Sequence, residues 1–334
     1  MVKEIGSEFW DIPVNEAENN IFPKYAQWFL SGRSALKAII KRLKNQKNVA
    51  MPSWCCDSMV KPFADAGFDI CFYPVYWENG LHRDFRWDCD VLFIMDYFGY
   101  THGSVDLSDY RGIVIRDITH SLFSREYYDS DYYFGSLRKW CGVWTGGYAW
   151  AKDESKFLTE NTDDYGYIAY RREAMEKKRS YISGTAGSDK GYLKIFNTAE
   201  ECLENIGILS AAERDIQKAM RLDVDEMKKC RRNNAEILRN AFSNWLIFPD
   251  MKKEDCPMFV PVLVPDGKRD ALRRFLIERE IYCPIHWPLS EYHKLSKSEM
   301  LIYQGELSLV CDQRYSVEDM NRIVETINEF WKVN

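Results

Sequence analysis

The chain has 334 residues, of which 46% are hydrophobic and 15% aromatic, and it carries a net charge of −6 with an isoelectric point of about 5.6. This length suffices for one large domain and a smaller one. The acidic balance lacks the basic surface typical of proteins whose main partner is nucleic acid. No apolar run approaches the roughly 18 residues of a membrane span. We therefore expect neither a nucleic-acid partner nor a membrane partner.

The ten cysteines would suit a disulfide-rich secreted protein, but the first residues lack the hydrophobic run of a signal peptide. Several cysteines lie in apolar surroundings, as Cys71 does in the run Asp-Ile-Cys-Phe-Tyr. No C-x-x-C pair occurs, and the adjacent Cys55 and Cys56 have no partners at the spacing of a zinc finger. We interpret the cysteines as reduced core residues of a cytoplasmic protein that has no metal site.

Helices and short apolar strands are predicted to alternate between about residues 33 and 150. Continuously apolar strands are typical of a mostly parallel sheet that is covered by helices on both faces, so the fold class is α/β. The predicted elements are a helix over Ser34–Leu43, a strand over Asn48–Met51, a helix over Cys56–Ala66, and strands over Phe68–Val75, Asp90–Asp96, Gly112–Asp117, Tyr132–Ser136 and Gly147–Ala151.

The pattern changes after residue 154. Residues 154–192 are polar, aromatic and charged, which predicts a flexible excursion or part of an interface. The run Ser210–Glu213 is typical of a capping box that opens a helix. The later elements predict a small α+β domain, so we divide the chain into a large domain over 1–235 and a small domain over 236–334. These later elements are a helix over Asp223–Phe242, a strand over Met258–Val264, a helix over Lys268–Glu278, an extended segment over Ile281–Trp287 and an amphipathic helix over Ser316–Trp331.

Polar residues follow several of the predicted strands, at the edge where parallel sheets collect their ligands. Asp117 ends an apolar strand, and a carboxylate there is costly to bury unless a cation pairs with it. That cation is either a protonated nitrogen of a ligand or a basic side chain such as Arg116. His120 follows three residues later and either contacts the ligand or is a structural histidine.

Lys139 follows the next predicted strand and has the apolar neighbours Trp140 and Trp144. Its amine is either buried with a depressed pKa or carried by the side chain to solvent. The first state would suit a nucleophile that forms a Schiff base. Arg138 is a second candidate for the buried cation. Ser136, three residues before the lysine, is placed to help hold a phosphate.

The run Ser31–Leu36 opens the first long helix with a glycine-containing turn. Free N–H groups and the positive end of the helix dipole suit a phosphate there, although a simple serine cap is the alternative. A phosphate turn, a carboxylate and an amine at successive strand ends are the groups that pyridoxal phosphate requires. The amine forms the Schiff base, and the carboxylate keeps the pyridine nitrogen protonated. Pyridoxal phosphate is therefore the predicted cofactor.

Six segments, which span most of the chain in the correct order, resemble motifs of the DegT/DnrJ/StrS family of sugar aminotransferases. Each motif alone has low specificity, but the six motifs in the same order are more specific together. They are Ser31-Gly-Arg-Ser-Ala-Leu36, similar to the family's Ser-Gly-Thr-x-Ala-Leu; Met51-Pro-Ser-Trp-Cys-Cys56, similar to Val-Pro-Ser-x-Thr; Asp96-Tyr-Phe-Gly99, similar to His-x-Phe-Gly; Asp117-Ile-Thr-His120, similar to Asp-x-x-His/Gln; the lysine loop Lys139–Gly147; and the closing segment Leu307–Met320.

The resemblance implies a fold-type-I transferase that depends on pyridoxal phosphate and forms a homodimer with active sites at the subunit interface. It implies that Lys139 forms the Schiff base and that Asp117 pairs with the pyridine nitrogen. It also implies that His120 lies beside the cofactor.

The resemblance further implies that Gly32, Arg33 and Ser34 hold the cofactor phosphate, the last two through their backbone N–H groups. The chain departs from the family pattern in ways that suggest a diverged branch. Arg33 stands where the family has threonine, Ser136 replaces a serine found five residues before the lysine, and Cys56 occupies the position of the ring-stacking aromatic residue. The family's Asn-Tyr-Arg segment has no clear counterpart near 206–210.

The resemblance implies transfer of an amino group, from glutamate or a similar donor, to a keto sugar that is linked to a nucleotide. It places the reaction in surface polysaccharide or glycoconjugate biosynthesis. Two alternatives stay open: a dehydratase or lyase that uses the same cofactor on a sugar or amino acid, and a non-catalytic descendant that binds sugars or regulates. The retained Lys139 favours transamination, since related sugar dehydratases replace the lysine with histidine.

Overall fold

The computed structural model describes residues 4–101, 105–124, 130–160, 165–185 and 189–333. Its strands are β1 (Ile5–Gly6), β2 (Gln27–Phe29), β3 (Asn48–Pro52), β4 (Asp69–Tyr73), β5 (Val75–Trp77), β6 (Leu81–Arg83), β7 (Val91–Met95), β8 (Ile113–Asp117), β9 (Tyr132–Ser136), β10 (Gly147–Ala151), β11 (Val260–Leu263), β12 (Ile281–Tyr282) and β13 (Glu306–Leu309). Its helices are α1 (Gly32–Ile40), α2 (Asp57–Asp65), α3 (Tyr165–Ile182), α4 (Tyr192–Cys202), α5 (Glu213–Ala219), α6 (Val224–Ala241), α7 (Arg269–Ile277), α8 (Lys297–Gly305) and α9 (Val317–Val333).

A seven-stranded sheet forms the centre of the molecule, in the order β2-β10-β9-β8-β7-β3-β4. The five strands from β9 to β4 are parallel to their neighbours, and β10 runs antiparallel to both β9 and β2. All five residues of β7 are buried, as expected for a strand that is covered on both faces. The predicted α/β class with a mostly parallel sheet is confirmed.

The C-terminal part has its own apolar cluster, which is built by the inner faces of α6, α7 and α9 and by the antiparallel pair β11–β13. The N-terminal strand joins it, because Ile5 pairs in parallel register with Ile281 and lies in the same cluster. Helix α6 continues without a break across residue 235. The domain boundary placed there from the sequence stays a prediction.

Part of the segment 154–192 is helical, so the flexible-excursion alternative was wrong for 165–182, whereas the interface alternative stays a prediction. The buried face of helix α3 mixes the charged side chains Arg171 and Lys178 with apolar ones such as Ala174 and Met175, which weakens its apolar stripe. Arg171 and Lys178 are fully buried and pair with Glu8 and Glu4, at 3.0 Å and 2.9 Å. A periodicity search for apolar residues cannot detect a helix that is anchored in this way.

The capping box predicted at Ser210–Glu213 does not form. Helix α5 begins at Glu213 after Ala212, without a side-chain cap, and Ser210 instead pairs with Phe29 in a β-bridge. A true capping box opens α8, where Ser296 and Glu299 hydrogen-bond to each other's backbone N–H groups. Two other elements are shorter than predicted: the strand over Phe68–Val75 is interrupted before β5, and only Ile281–Tyr282 of the extended segment pairs as a strand.

Within the described ranges, no helix combines the length and the apolar character that crossing a membrane requires. All ten cysteines are free thiols. Among the residues that the structure describes, no cluster of three or more His, Cys, Asp or Glu side chains could hold a metal ion.

Candidate active site

The predicted site residues meet at the carboxyl edge of the central sheet. Ser136 ends β9 and pairs with Gly147 of β10, which in turn pairs with Phe29 at the end of β2. This register brings the N-terminus of α1 against the end of β9. A Cβ atom at Gly147 would lie 2.0 Å from the carbonyl oxygen of Ser31, so only glycine permits this approach.

The first turn of α1 lies beside Ser136, since a Cβ atom at Gly32 would be 3.2 Å from the Cβ of that serine. Ser31 caps the helix: its Oγ accepts a hydrogen bond from the Ser34 N–H at 3.2 Å. The Ser34 hydroxyl donates to the carbonyl oxygen of Gly207 at 2.8 Å. The prediction that Ser34 offers its N–H to a phosphate is therefore not met in this structure, because that N–H is already used by the cap.

Three features leave this turn ready for an anion. The N–H groups of Gly32 and Arg33 belong to the first turn and have no acceptor within the helix. The Ser136 hydroxyl is only 8% exposed and has no hydrogen-bond partner among the described residues. The Arg33 guanidinium also has one buried nitrogen, Nη1, without an acceptor in those residues. These orphaned donors fit a phosphate group.

Asp117 is a buried carboxyl, only 2% exposed, at the end of β8. Its Oδ1 accepts a hydrogen bond from the Thr119 N–H at 2.8 Å. Arg116, the alternative partner, is directed to Asp96 in an ion pair of 2.9 Å. No basic side chain in the described part of the chain forms an ion pair with Asp117.

The surroundings of Asp117 therefore favour its neutral form. Burial raises the pKa of Asp117 to about 6, because the hydrogen bonds from Thr119 offset only part of the desolvation and the charge of Asp96 adds to it. A cationic ligand at this position would supply the missing partner.

Arg138 and Lys139 lie in the short 3-10 turn that follows β9 and differ in exposure and in ion pairing. The Arg138 guanidinium is 10% exposed and forms an ion pair with Glu200. Burial alone would raise the pKa of Glu200, but this guanidinium lowers it to about 2. The Lys139 side chain is exposed in the single chain, which is the second of its two predicted alternatives, and Arg138 is the more buried cation of the pair.

Lys139 nevertheless lies among the other site residues. Burial raises the pKa of the Cys56 thiol, the hydrogen bond with Ser58 opposes this, and the charges of Lys139 and Asp117 act on the same thiol with opposite signs. Burial also lowers the pKa of His120 well below its usual value, and the charges of His286 and Lys139 lower it further. The charges of the lysine and the aspartate therefore both act at Cys56.

His120 is a neutral, buried ring beside this group. Its Nδ1 accepts a hydrogen bond from the Phe98 N–H at 3.3 Å, and the ring stacks on Trp287 with centroids 5.7 Å apart. Cys56 contributes no aromatic ring, and its sulfur lies 2.8 Å from the Ser58 hydroxyl. We call the group formed by Ser31–Arg33, Cys56, Asp117, His120, Ser136 and Lys139 the strand-end site.

A cavity of about 510 Å³ adjoins the strand-end site and is lined in part by Lys139. Its opposite wall comes from the N-terminal segment Gly6–Phe9 and from the C-terminal part of the chain. The volume lies within the usual range for small-molecule sites. Sequence reasoning did not find the N-terminal residues of this wall, because they lie far from the motifs along the chain, whereas Val310, Asp312 and Arg314 belong to the closing segment Leu307–Met320.

His286 is one such residue. Its Nδ1 lies 2.8 Å from the Ser308 hydroxyl, which donates to Glu306 at 2.5 Å. Burial, reinforced by the charge of Lys139, lowers the pKa of His286 to about 3, and burial raises the pKa of Glu306 to about 8. At neutral pH this wall of the cavity therefore presents an uncharged imidazole.

No protein-family model matches the sequence, and no curated protein matches it either. Solved structures do match. An aminotransferase described as DegT DnrJ EryC1 StrS, from Brucella abortus, is 15% identical with a TM-score of 0.62, over 91% of this chain and 85% of that one. Helicobacter pylori PseC, an aminotransferase of pseudoaminic acid biosynthesis, is 14% identical with a TM-score of 0.62, over 98% and 100%.

A third match is a putative sugar aminotransferase, Spr1654 from Streptococcus pneumoniae, in its PMP form. It is 14% identical with a TM-score of 0.61, over 90% of this chain and 86% of that one. The same protein has also been solved in a PLP form. The similarity extends over nearly the whole of each chain, so the chain has the fold of the sugar aminotransferases that its sequence motifs resemble.

Proposed function

We propose that this chain is an aminotransferase that uses pyridoxal phosphate to move an amino group from a donor such as glutamate to a keto sugar. The observation that carries the proposal is Asp117, a buried carboxylate at a strand end without a cation among the described residues. The site lacks one positive charge at that point, and a protonated pyridine nitrogen supplies it.

The residues present fit the whole cofactor. The N–H groups of Gly32 and Arg33 and the hydroxyl of Ser136 would hold the phosphate, and Asp117 would hold the ring nitrogen. Lys139 would supply the amine that joins the aldehyde. When bound, the cofactor supplies an electron sink for the bond that is broken at the donor carbon.

The chain's own residues then position the donor and move protons. A neighbouring cation stabilises the ionised form of Asp117, so its pKa falls from about 6 when the cofactor binds. Lys139 would take the proton from the donor Cα on its Nζ as general base, and would return a proton from the same atom as general acid. Arg138 does not compete for this role, because Glu200 holds it.

The finer parts of the proposal rest on the resemblance and on the names of the similar structures. PseC and Spr1654 support a sugar as the acceptor. We extend this to a nucleotide-linked keto sugar, in surface polysaccharide or glycoconjugate biosynthesis. We also propose a homodimer, in keeping with the exposure of Lys139 in the single chain, and a cytoplasmic location, in keeping with the free cysteines.

The test is the visible absorption spectrum of the protein purified with added pyridoxal phosphate. We expect the band of a lysine-linked cofactor in the native protein and its loss in Lys139→Ala. Lys156→Ala, an exposed lysine outside the site, is the matched control and should keep the band.

Mixing the native holoenzyme with glutamate then separates two reactions. An aminotransferase yields 2-oxoglutarate and converts the cofactor to its amine form, whereas a dehydratase or lyase does neither. A native protein that stays colourless with added cofactor would refute the proposal.

A further inference from the structure

The cavity beside Lys139 is lined by more positive than negative charge. Five basic side chains line it against three acidic ones, and each acid has a partner. Asp312 pairs with Arg314 at 2.8 Å and Glu200 with Arg138. The third acid, Glu8, accepts from a buried arginine of α3 at 3.0 Å. The acids are therefore neutralised, and the remaining charge of the wall is positive.

Among the described residues, Arg273 is one of three basic residues lining the cavity, with Lys139 and Arg231, that form no ion pair. It lies on α7, half-buried, and its Nε donates to the carbonyl oxygen of Cys283 at 3.2 Å. That bond holds the guanidinium at the cavity while its two Nη groups have no acceptor in the described part of the chain. No described carboxylate lies within ion-pair distance of it. A half-buried guanidinium with a free fork is the preferred partner of a carboxylate or phosphate.

A second arginine adds to the positive potential. Arg231 is fully buried at the same wall, and its hydrogen bonds go to neutral groups, the Gln313 side chain at 2.8 Å and the Met258 carbonyl at 3.0 Å. Its Nη2 has no acceptor among the described residues. Neither arginine forms an ion pair with a described carboxylate of the wall, so an anion entering the cavity is favoured.

Hydrogen bonds within the chain hold the opposite wall of the cavity. Arg314 donates to the carbonyl oxygens of Ser7 and Glu8 at 3.2 Å and 3.1 Å, while Asp312 fixes its guanidinium. Gly6 pairs with Tyr282, one residue before the Cys283 carbonyl that Arg273 binds. The N-terminal segment and α7 thus enclose one preformed space that also contains Lys139.

We propose that Arg273 is the residue that binds an anionic group of the substrate in this cavity, with the substrate's reacting carbon facing Lys139. The inference rests on the proposed function for the role of the lysine. The anion is a carboxylate or a phosphate, because both accept the paired Nη donors of an arginine. A carboxylate would come from the amino donor, and a phosphate from the nucleotide of the sugar.

The test measures binding of two probes, glutarate and inorganic phosphate, to the holoenzyme by calorimetry. We expect Arg273→Gln to weaken binding of the probe that occupies the site about 10- to 100-fold, which is the range for loss of a hydrogen bond to a charged group. Arg273→Lys keeps the charge but loses the paired Nη donors, so its affinity for the probe should lie between those of the native protein and Arg273→Gln. Arg274→Gln, on the same helix but exposed, carries the same charge change and should bind like the native protein.

The two probes identify the source of the anion. Loss of glutarate affinity, with a matching rise in the glutamate concentration needed to convert the cofactor, indicates the donor carboxylate. Loss of phosphate affinity alone indicates the nucleotide of the acceptor. If neither probe binds the native holoenzyme, or if Arg273→Gln leaves both affinities unchanged, the proposal is overturned. Calorimetry needs no turnover, so a colourless protein that still binds glutarate through Arg273 would refute the proposed function alone.

Discussion

Two groups of buried charged and polar side chains in this molecule differ in how completely they are paired. The first, which we call the arm cluster, consists of Glu4, Lys178, Lys190 and Tyr192. Glu4 lies 2.9 Å from Lys178 and 3.1 Å from Lys190, and it accepts a hydrogen bond from the Tyr192 hydroxyl at 2.8 Å. Lys190 also pairs with Glu280, so charge there is compensated within the chain, and the cluster joins the N-terminal arm to α3 and α4.

The strand-end site has the opposite character. Asp117 is as deeply buried as Glu4, at 2% and 3% exposure, yet it has no basic partner in the described residues. The hydroxyl of Ser136 and the first N–H groups of α1 also lack acceptors there. Burying such groups costs free energy that a purely structural site would avoid. The comparison teaches that paired burial marks a structural joint, whereas unpaired burial at strand ends marks a place for a ligand.

Breaking the arm cluster should have the largest effect, and the effect should be on stability. Lys178→Met removes one charge of a buried ion pair, so we expect the free energy of unfolding to fall by about 3 to 5 kcal/mol. Urea denaturation measures this, and cofactor affinity should stay within about twofold of native because the cluster lies outside the strand-end site. Lys177→Met, which removes an exposed pair with Glu173, should cost under about 0.5 kcal/mol. Equal losses of unfolding free energy in the two variants would mean that the buried ion pair of the arm cluster contributes no more than an exposed pair.

Asp117→Asn should raise the free energy of unfolding of the cofactor-free protein, whereas Lys178→Met lowers it. The folded-state pKa of about 6 lies above the usual 3.8, so the stability contributed by the protonated carboxyl is fully present below about pH 4 and lost as the pH rises through 6. We expect the two proteins to be equally stable near pH 4 and the variant to be more stable by about 2 to 3 kcal/mol at pH 8.

Denaturation of the cofactor-free proteins across this pH range measures the difference, and the variant should be inactive when loaded. The Asn side chain keeps an oxygen for the Thr119 N–H, so the local turn is preserved. A variant that is less stable than the native protein at pH 8 would mean that a cation already compensates Asp117 in the free chain.

Ser136→Ala should have the smallest effect. The native hydroxyl has no partner among the described residues, so its removal should leave the unfolding free energy unchanged to within about 0.5 kcal/mol. Loss of one hydrogen bond to the phosphate should weaken cofactor binding about tenfold, which a titration of the absorption band measures. Ser124→Ala is the matched control, since that buried hydroxyl donates to the Gly99 carbonyl at 2.7 Å. It should lose about 1 kcal/mol of stability and keep its cofactor affinity.

The sequence alone determined six of the seven strands of the central sheet, their ends and the turn that opens α1, but it did not indicate β2. Continuous apolar runs, acids at their ends and a Ser-Gly turn are local patterns, and local patterns fix secondary structure and the polar residues that flank it. For this reason Asp117, Ser136 and the first turn of α1 could be placed at one edge before any coordinates were known. Helix α3 could not be predicted in the same way, because its buried face is partly charged and the carboxylates that pair with those charges lie in the N-terminal segment.

Only the tertiary structure decided which charged side chains form ion pairs. Arg138 and Lys139 are adjacent and equivalent in sequence, and Glu200, 62 residues away, determines that the arginine is paired and the lysine is not. The Ser34 N–H is withdrawn by a cap, and Arg273 reaches the cavity because Cys283 and the N-terminal segment meet around it. Such pairings join residues that are distant along the chain, so packing decides them and a local pattern does not encode them.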